Sequence, residues 1–201
     1  LFMTVLFLNR MGQKYRRQDW IDESIHQVLM HIKYLCDRRT GLFYHGWTFN
    51  EKNNFGGVFW CRGNSWFTLG ILDYIDMFEG SMNAGLKTFV VDTYKAQTEK
   101  LKELQDPKTG LWHTVLTDPD SYVETSGTAA IAAGILKGIR YGILDDSYLP
   151  CAAKAIQGIL NNIDEDGTVL QVSGGTGMGA NEDHYKNILI APMAYGQSLT
   201  I

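Results

Sequence analysis

Hydrophobic positions along the chain fall into two kinds of run, and the two kinds alternate. Residues 1–13 are apolar nearly all round. So are residues 65–79, with Trp66, Phe67, Leu69, Ile71, Leu72, Tyr74, Ile75, Met77 and Phe78, and residues 126–142, which are small and apolar throughout. Residues 20–36, 87–105 and 147–163 instead carry one stripe each. The stripes are Ile21, Ile25, Val28, Leu29, Ile32 and Leu35; then Val90, Tyr94, Gln97, Leu101 and Leu104; then Ala152, Ala155, Ile156, Ile159 and Ile163. These spacings are helical, and Asp19 is placed to cap the first striped segment. A last apolar segment occupies residues 190–201. A helix apolar on every side has to be covered on every side, whereas a one-striped helix lies on the surface. Strict alternation predicts helical hairpins with one inner and one outer member, stacked as a solenoid or closed into an α/α toroid.

The loops repeat as well. Asp37-Arg-Arg-Thr-Gly-Leu-Phe-Tyr-His45 follows the first striped helix, Asp106-Pro-Lys-Thr-Gly-Leu-Trp-His113 the second, and Asp164-Glu-Asp-Gly-Thr-Val-Leu-Gln171 the third. Each reads as a Gly turn leading into a short extended piece. The period is roughly 60–70 residues, in the range of repeat architectures. Seven helices make three and a half hairpins, and a closed ring of six hairpins needs twelve helices. Either the repeat array is open or sequence is missing; because the apolar run already begins at Leu1, residues 1–201 are expected to be the C-terminal portion of one domain whose N-terminal portion lies outside this sequence.

Composition narrows the function. Net charge is −4 and no basic block offers nucleic acid a landing site. No run of eighteen apolar residues predicts a membrane span. Cys36, Cys61 and Cys151 are odd in number and widely spaced, so they suggest neither a disulfide framework nor a metal site and suit a reducing, cytoplasmic compartment. Aromatic residues reach 12%. That suits sugar stacking, but it suits an ordinary core equally well.

Candidate chemistry concentrates in residues 43–66. Phe43-Tyr44-His45-Gly46-Trp47 and Trp60-Cys61-Arg62-Gly63-Asn64-Ser65-Trp66 both precede an inner helix. A helix N-terminus favours an anion, and a guanidinium grips a carboxylate with two parallel bonds. Flanked by Trp60 and Trp66, Arg62 reads either as part of a pocket for an anionic ring or as a structural plug stacked between aromatics. His45 and His113 are one repeat apart, and only His45 has the Gly/Trp-rich surroundings of a proton-handling or ligand-binding group. Asp73 and Asp76 lie on neighbouring faces of an inner helix, where an ordinary ion pair is the competing reading. Glu124-Thr-Ser126 fits a helix cap. Ser173-Gly-Gly-Thr-Gly-Met-Gly179 lacks the strand and the Lys-Ser/Thr ending of a phosphate loop, and reads as a rim loop over the barrel mouth. No nucleophile elbow is present, and no His/Asp/Glu cluster has metal-ligand spacing.

Taken together, Tyr44-His45-Gly46-Trp47, Trp60 through Trp66, Leu1-Phe2-Met3, Thr40-Gly41-Leu42-Phe43, Glu124-Thr125-Ser126-Gly127-Thr128 and Tyr195-Gly196-Gln197 resemble, in collinear order, the unsaturated rhamnogalacturonyl hydrolases of glycoside hydrolase family 105. The resemblance implies an all-α (α/α)6 barrel, here incomplete with seven of twelve helices and short extended pieces in the loops. It implies hydration of the C4–C5 double bond of a non-reducing-end unsaturated uronic acid in rhamnogalacturonan oligosaccharides. An aspartic acid protonates C4, water adds at C5, and the hemiketal opens to release the next sugar. That aspartate stands two residues before the Leu-Phe-Met triplet, hence upstream of Leu1. Within the chain the resemblance assigns Met3, Trp60, Arg62 and Trp66 to substrate, with Arg62 on the uronate carboxylate, and His45 to a substrate hydroxyl or to proton-transfer support. It implies no cofactor and no metal. The competing expectations are a glycan-binding homologue without the acid, a barrel epimerase using paired histidines, and a helical scaffold with no closed aromatic pocket.

Overall fold

The computed structural model describes residues 2–201; Leu1 of the Leu-Phe-Met triplet lies outside them. The expected hairpins are present. Helices α1 (Phe2–Tyr15), α3 (Cys61–Asp76), α5 (Thr125–Arg140) and α8 (Ala194–Thr200) pack in series, α1 on α3, α3 on α5 and α5 on α8. Helices α2 (Gln18–Leu35), α4 (Ala84–Leu104) and α6 (Leu149–Leu160) each lie outside the inner helix before them. This is an arc of an (α/α) barrel, with an inner and an outer layer. The α3–α5 contact is tight because a glycine faces a backbone: a Cβ on Gly134 would lie 2.5 Å from the Thr68 carbonyl oxygen.

A buried polar junction ties the first three helices, with Asn9 Nδ2 donating to Ser24 Oγ at 3.1 Å and Ser24 Oγ 3.0 Å from the Tyr74 hydroxyl. On α1 only part of the surface is covered: Val5 and Asn9 are buried, while Met3 and Phe7 are 72% and 66% exposed.

The repeated turn has the same form in the first two repeats and a shorter form in the third. Gly41 N–H donates to Asp37 O and Gly110 N–H to Asp106 O, at 2.8 and 2.9 Å, and Gly167 N–H donates to Asp164 O at 2.9 Å. All three glycines have positive φ, 73°, 77° and 86°, which glycine adopts without a Cβ clash. In the first two turns the Thr hydroxyl also donates to the Asp carboxylate, and the following Leu42 and Leu111 are fully buried.

Beyond the turns, extended pieces from successive repeats cross-link along one rim. His45 N–H donates to Val58 O, Cys61 N–H to Thr114 O, and Thr114 N–H to Tyr122 O. Strands β1 (Trp112–His113) and β2 (Val123–Glu124) pair antiparallel, Thr125 N–H donates to Gln171 O, and Gly174 N–H to Leu189 O.

Several elements differ from the sequence reading, and Asp19, expected to cap α2, lies in its first turn with Arg17 at the N-cap position. Helix α3 starts four residues before the expected position 65, at Cys61. The polar Cys-Arg-Gly-Asn segment hid that turn from an apolar pattern, because its side chains are satisfied by other repeats. Helix α6 is shorter than 147–163 and is led in by a 3-10 turn, Asp146–Tyr148, with Pro150 in its first turn. The last segment is helical only from Ala194, since Pro192 biases its predecessor toward extended backbone. A short helix α7 (Glu182–Lys186) was not expected; Asn181 caps it by accepting from His184 N–H.

Candidate active site

A cavity of about 340 Å³ opens at the rim where α1, α2 and α3 meet. Met3, His31, Leu35, Tyr44, His45, Trp60, Gly63 and Trp66 line it, with Phe43 and Phe67 at its base. Of the expected site residues, the structure thus brings Met3, His45, Trp60 and Trp66 together. Among the described residues, no Asp or Glu lines this cavity.

Each wall is held by a specific constraint. Asn64, fully buried on α3, clamps the backbone of Phe43 as a neighbouring strand would: its Oδ1 accepts from Phe43 N–H at 2.7 Å and its Nδ2 donates to Phe43 O at 2.8 Å. That clamp sets the chain two residues before His45. The clamp is itself braced from α4, where Gln97 donates to Asn64 and accepts from Thr68. The His45 ring sits against Trp60, with centroids 4.4 Å apart, and edge-on to Tyr185. Its Nδ1 lies 2.7 Å from the Tyr185 hydroxyl. Burial, then the charges of Arg62 and His184, push its pKa down to about 4. At neutral pH His45 is therefore an uncharged hydrogen-bonding group.

Arg62 is not among the residues that line this cavity. It is 4% exposed and lies behind Trp60, outside the cavity wall. Its guanidinium is sandwiched between the rings of Trp60 and Tyr195, 4.7 and 4.6 Å from their centroids. One terminal nitrogen donates to Ser126 Oγ and to the carbonyl and hydroxyl of Ser173; the other donates to Gly174 O and Thr176 Oγ1. Glu124 Oε1 lies 3.6 Å away. With protein acceptors around both terminal nitrogens, Arg62 ties Trp60 to the 173–176 segment.

Glu124 caps α5, accepting from Ser126 and Gly127 N–H at 3.1 and 2.6 Å, and also accepts from Ser173 N–H at 3.1 Å. The Gly-rich stretch forms a rim loop, attached by Arg62 at Gly174 and Thr176 and by Tyr185 at Gly179. Asp73 pairs with Lys137, and His113 is engaged by the Ser121 carbonyl and Asp106; neither lines the cavity. Tyr185 and His31 were missed by the sequence reading. The Asn181 cap with acidic residues in the first turn and basic ones in the last announces α7, but nothing local announces that Tyr185 meets His45. Among the described residues no group of three or more His, Cys, Asp or Glu could hold a metal ion, and no helix is long and apolar enough to cross a membrane.

The fold and the hollow together define an arc of an (α/α) barrel with an aromatic, histidine-bearing pocket at its rim. The chain belongs to Glycosyl Hydrolase Family 88, whose sequence model matches residues 1–201. It is 33% identical to the unsaturated rhamnogalacturonyl hydrolase YesR of Bacillus subtilis, covering 100% of this chain and 56% of YesR. It is 29% identical to an unsaturated 3S-rhamnoglycuronyl hydrolase of Formosa agariphila, over 93% of this chain and 52% of that protein. A solved structure from Salmonella enterica, described as a possible member of GH105, superposes with a TM-score of 0.95 at 41% identity, over 98% of this chain and 52% of that one. The chain thus spans about half the length of the curated relatives it matches.

Proposed function

We propose that the protein carrying this chain hydrates the C4–C5 double bond of an unsaturated uronic acid at the non-reducing end of a pectin-derived, rhamnogalacturonan oligosaccharide. The observation that carries the reading is the joint placement of Met3, His45, Trp60 and Trp66 around one 340 Å³ hollow, the residues that the family resemblance assigns to substrate.

In this reading Trp60 and Trp66 present apolar ring surfaces to the sugar, and Met3 closes the third side. His45, neutral near pH 7, hydrogen-bonds a substrate hydroxyl and carries no proton in the reaction. A general acid delivers a proton to C4, water adds its oxygen to C5 and loses a proton, and the hemiketal so formed opens to free the next sugar. We assign the acid to an aspartate of the complete protein lying two residues before Leu1, with residues 1–201 as the C-terminal portion of one barrel domain. A second hollow of about 240 Å³, lined by Tyr34, Trp47 and Phe49, shares His31 and Leu35 with the first. Its aromatic walls suit the sugar that follows the uronate. Three free cysteines, Cys36, Cys61 and Cys151, suit a reducing compartment, and we place the protein in the cytoplasm.

The test is the ultraviolet absorbance of the conjugated enol carboxylate. The complete protein, supplied with unsaturated galacturonyl-rhamnose, should bleach it, and Trp66→Ala should raise KM at least several-fold. Absorbance that persists with every unsaturated disaccharide tried would overturn the proposal.

A further inference from the structure

The Tyr185 hydroxyl is placed between two groups that together decide the direction of its proton. The residue is 1% exposed. Gly179 N–H donates to the Tyr185 oxygen at 3.1 Å, so that contact consumes a lone pair and leaves the phenolic proton unplaced. A buried hydroxyl proton needs an acceptor. The other polar atom at the oxygen is His45 Nδ1, 2.7 Å away. In a neutral imidazole one nitrogen carries hydrogen and the other accepts, and the bond made by one fixes the state of the other.

We infer that Tyr185 is a positioning residue: by donating to Nδ1 it holds His45 as the tautomer whose Nε2 bears the hydrogen, so that His45 offers the cavity a hydrogen-bond donor. Turning the ring over would put Cδ2 in place of Nδ1 and break this bond. Trp60 covers one side, Tyr185 stands edge-on to it, and His45 N–H is tied to Val58 O. Tyr185 is in turn held by the helix capped at Asn181 and by the rim loop at Gly179. The partner selected at Nε2 is an acceptor, such as a sugar hydroxyl or carboxylate oxygen, and a pure donor is rejected. The substrate end of this inference rests on the proposed function; the tautomer rests on the geometry alone.

The experiment is a histidine-selective 15N spectrum of the complete protein at neutral pH, with the His45 signals assigned through His45→Gln. The expected spectrum shows Nδ1 as an unprotonated, hydrogen-bonded nitrogen and Nε2 as a protonated one. Tyr185→Phe keeps the ring and removes the hydroxyl; the Nδ1 resonance should move to the lower field of an unbonded acceptor while the other histidines stay in place. A protonated Nδ1 in the native protein overturns the inference, whatever the variant does. So does a Tyr185→Phe spectrum in which the His45 signals do not move. Neither readout uses substrate, so a failed hydrolase assay and a failed tautomer assignment are separate results.

Discussion

Arg62 on α3 and Glu124 at the head of α5 lie 3.6 Å apart inside the protein, their side chains 5% and 0% exposed. Glu124 accepts from the amides that begin α5 and from Ser173 N–H, and Arg62 donates to Ser173, Gly174 and Thr176. One pair therefore ties two inner helices and the rim loop behind Trp60.

Removing one member of a buried pair leaves an uncompensated charge. Glu124→Ala is expected to lower unfolding free energy by about 3 kcal/mol or more. Arg62→Met combined with Glu124→Leu should cost less than Glu124→Ala, because no charge is left behind. Urea denaturation of the complete protein measures both. A loss under about 1 kcal/mol for Glu124→Ala, the range of an exposed pair, would show that the pair is solvated.

Asn64→Leu removes the clamp on Phe43 and leaves the buried Phe43 amide and carbonyl without these partners. The expected cost is about 2 kcal/mol or more. In the same variant, amide hydrogen exchange at residues 43–45 should accelerate more than exchange in α5. Equal acceleration in both would mean general destabilisation and no local clamp.

His45 gives the stability curve a predictable slope. Its pKa is 6.5 when unperturbed and about 4 here, chiefly through burial. Between those values the unfolded chain binds the proton more readily than the native one, so stability falls as pH drops from 6.5 toward 4. Above 6.5 both states are neutral and the group has no effect. His45→Gln should flatten this part of the native protein's curve. Chemical denaturation at intervals across the window checks the sign, and a slope identical in the two proteins would remove His45 as its source.

The turn glycines are not equivalent. Gly41 has φ of 73°, and a Cβ there would lie 2.6 Å from the α4 backbone at Ala96 and Gln97. Gly167 has φ of 86° with nothing within 4 Å. The left-handed conformation costs both Ala variants about 1 kcal/mol, and crowding adds about 1–3 kcal/mol at Gly41 alone. Thermal unfolding should rank Gly41→Ala well below Gly167→Ala.

The alternation of all-round and one-striped helices was legible because period and stripe width are local properties of a chain. So were the first two turns, since an Asp, a Thr and a Gly at fixed spacing make the same hydrogen bonds each time, and the third keeps the Asp and a Gly of positive φ. The aromatic, histidine-bearing stretch 43–66 was legible as composition, and three of its expected pocket residues, His45, Trp60 and Trp66, line one cavity with Met3. What sequence left open was direction. Whether Arg62 faces a ligand or the interior depends on Glu124, Ser173 and Tyr195, which are 62, 111 and 133 positions further along the chain. The start of α3 was hidden for the same reason, its polar first turn being satisfied by other repeats. Tyr185 sits in a short polar run that shows no sign of burial; only the folding of the rim loop brings its hydroxyl to His45. Local pattern decided which elements form, and tertiary packing decided which polar groups have partners and which remain for a substrate.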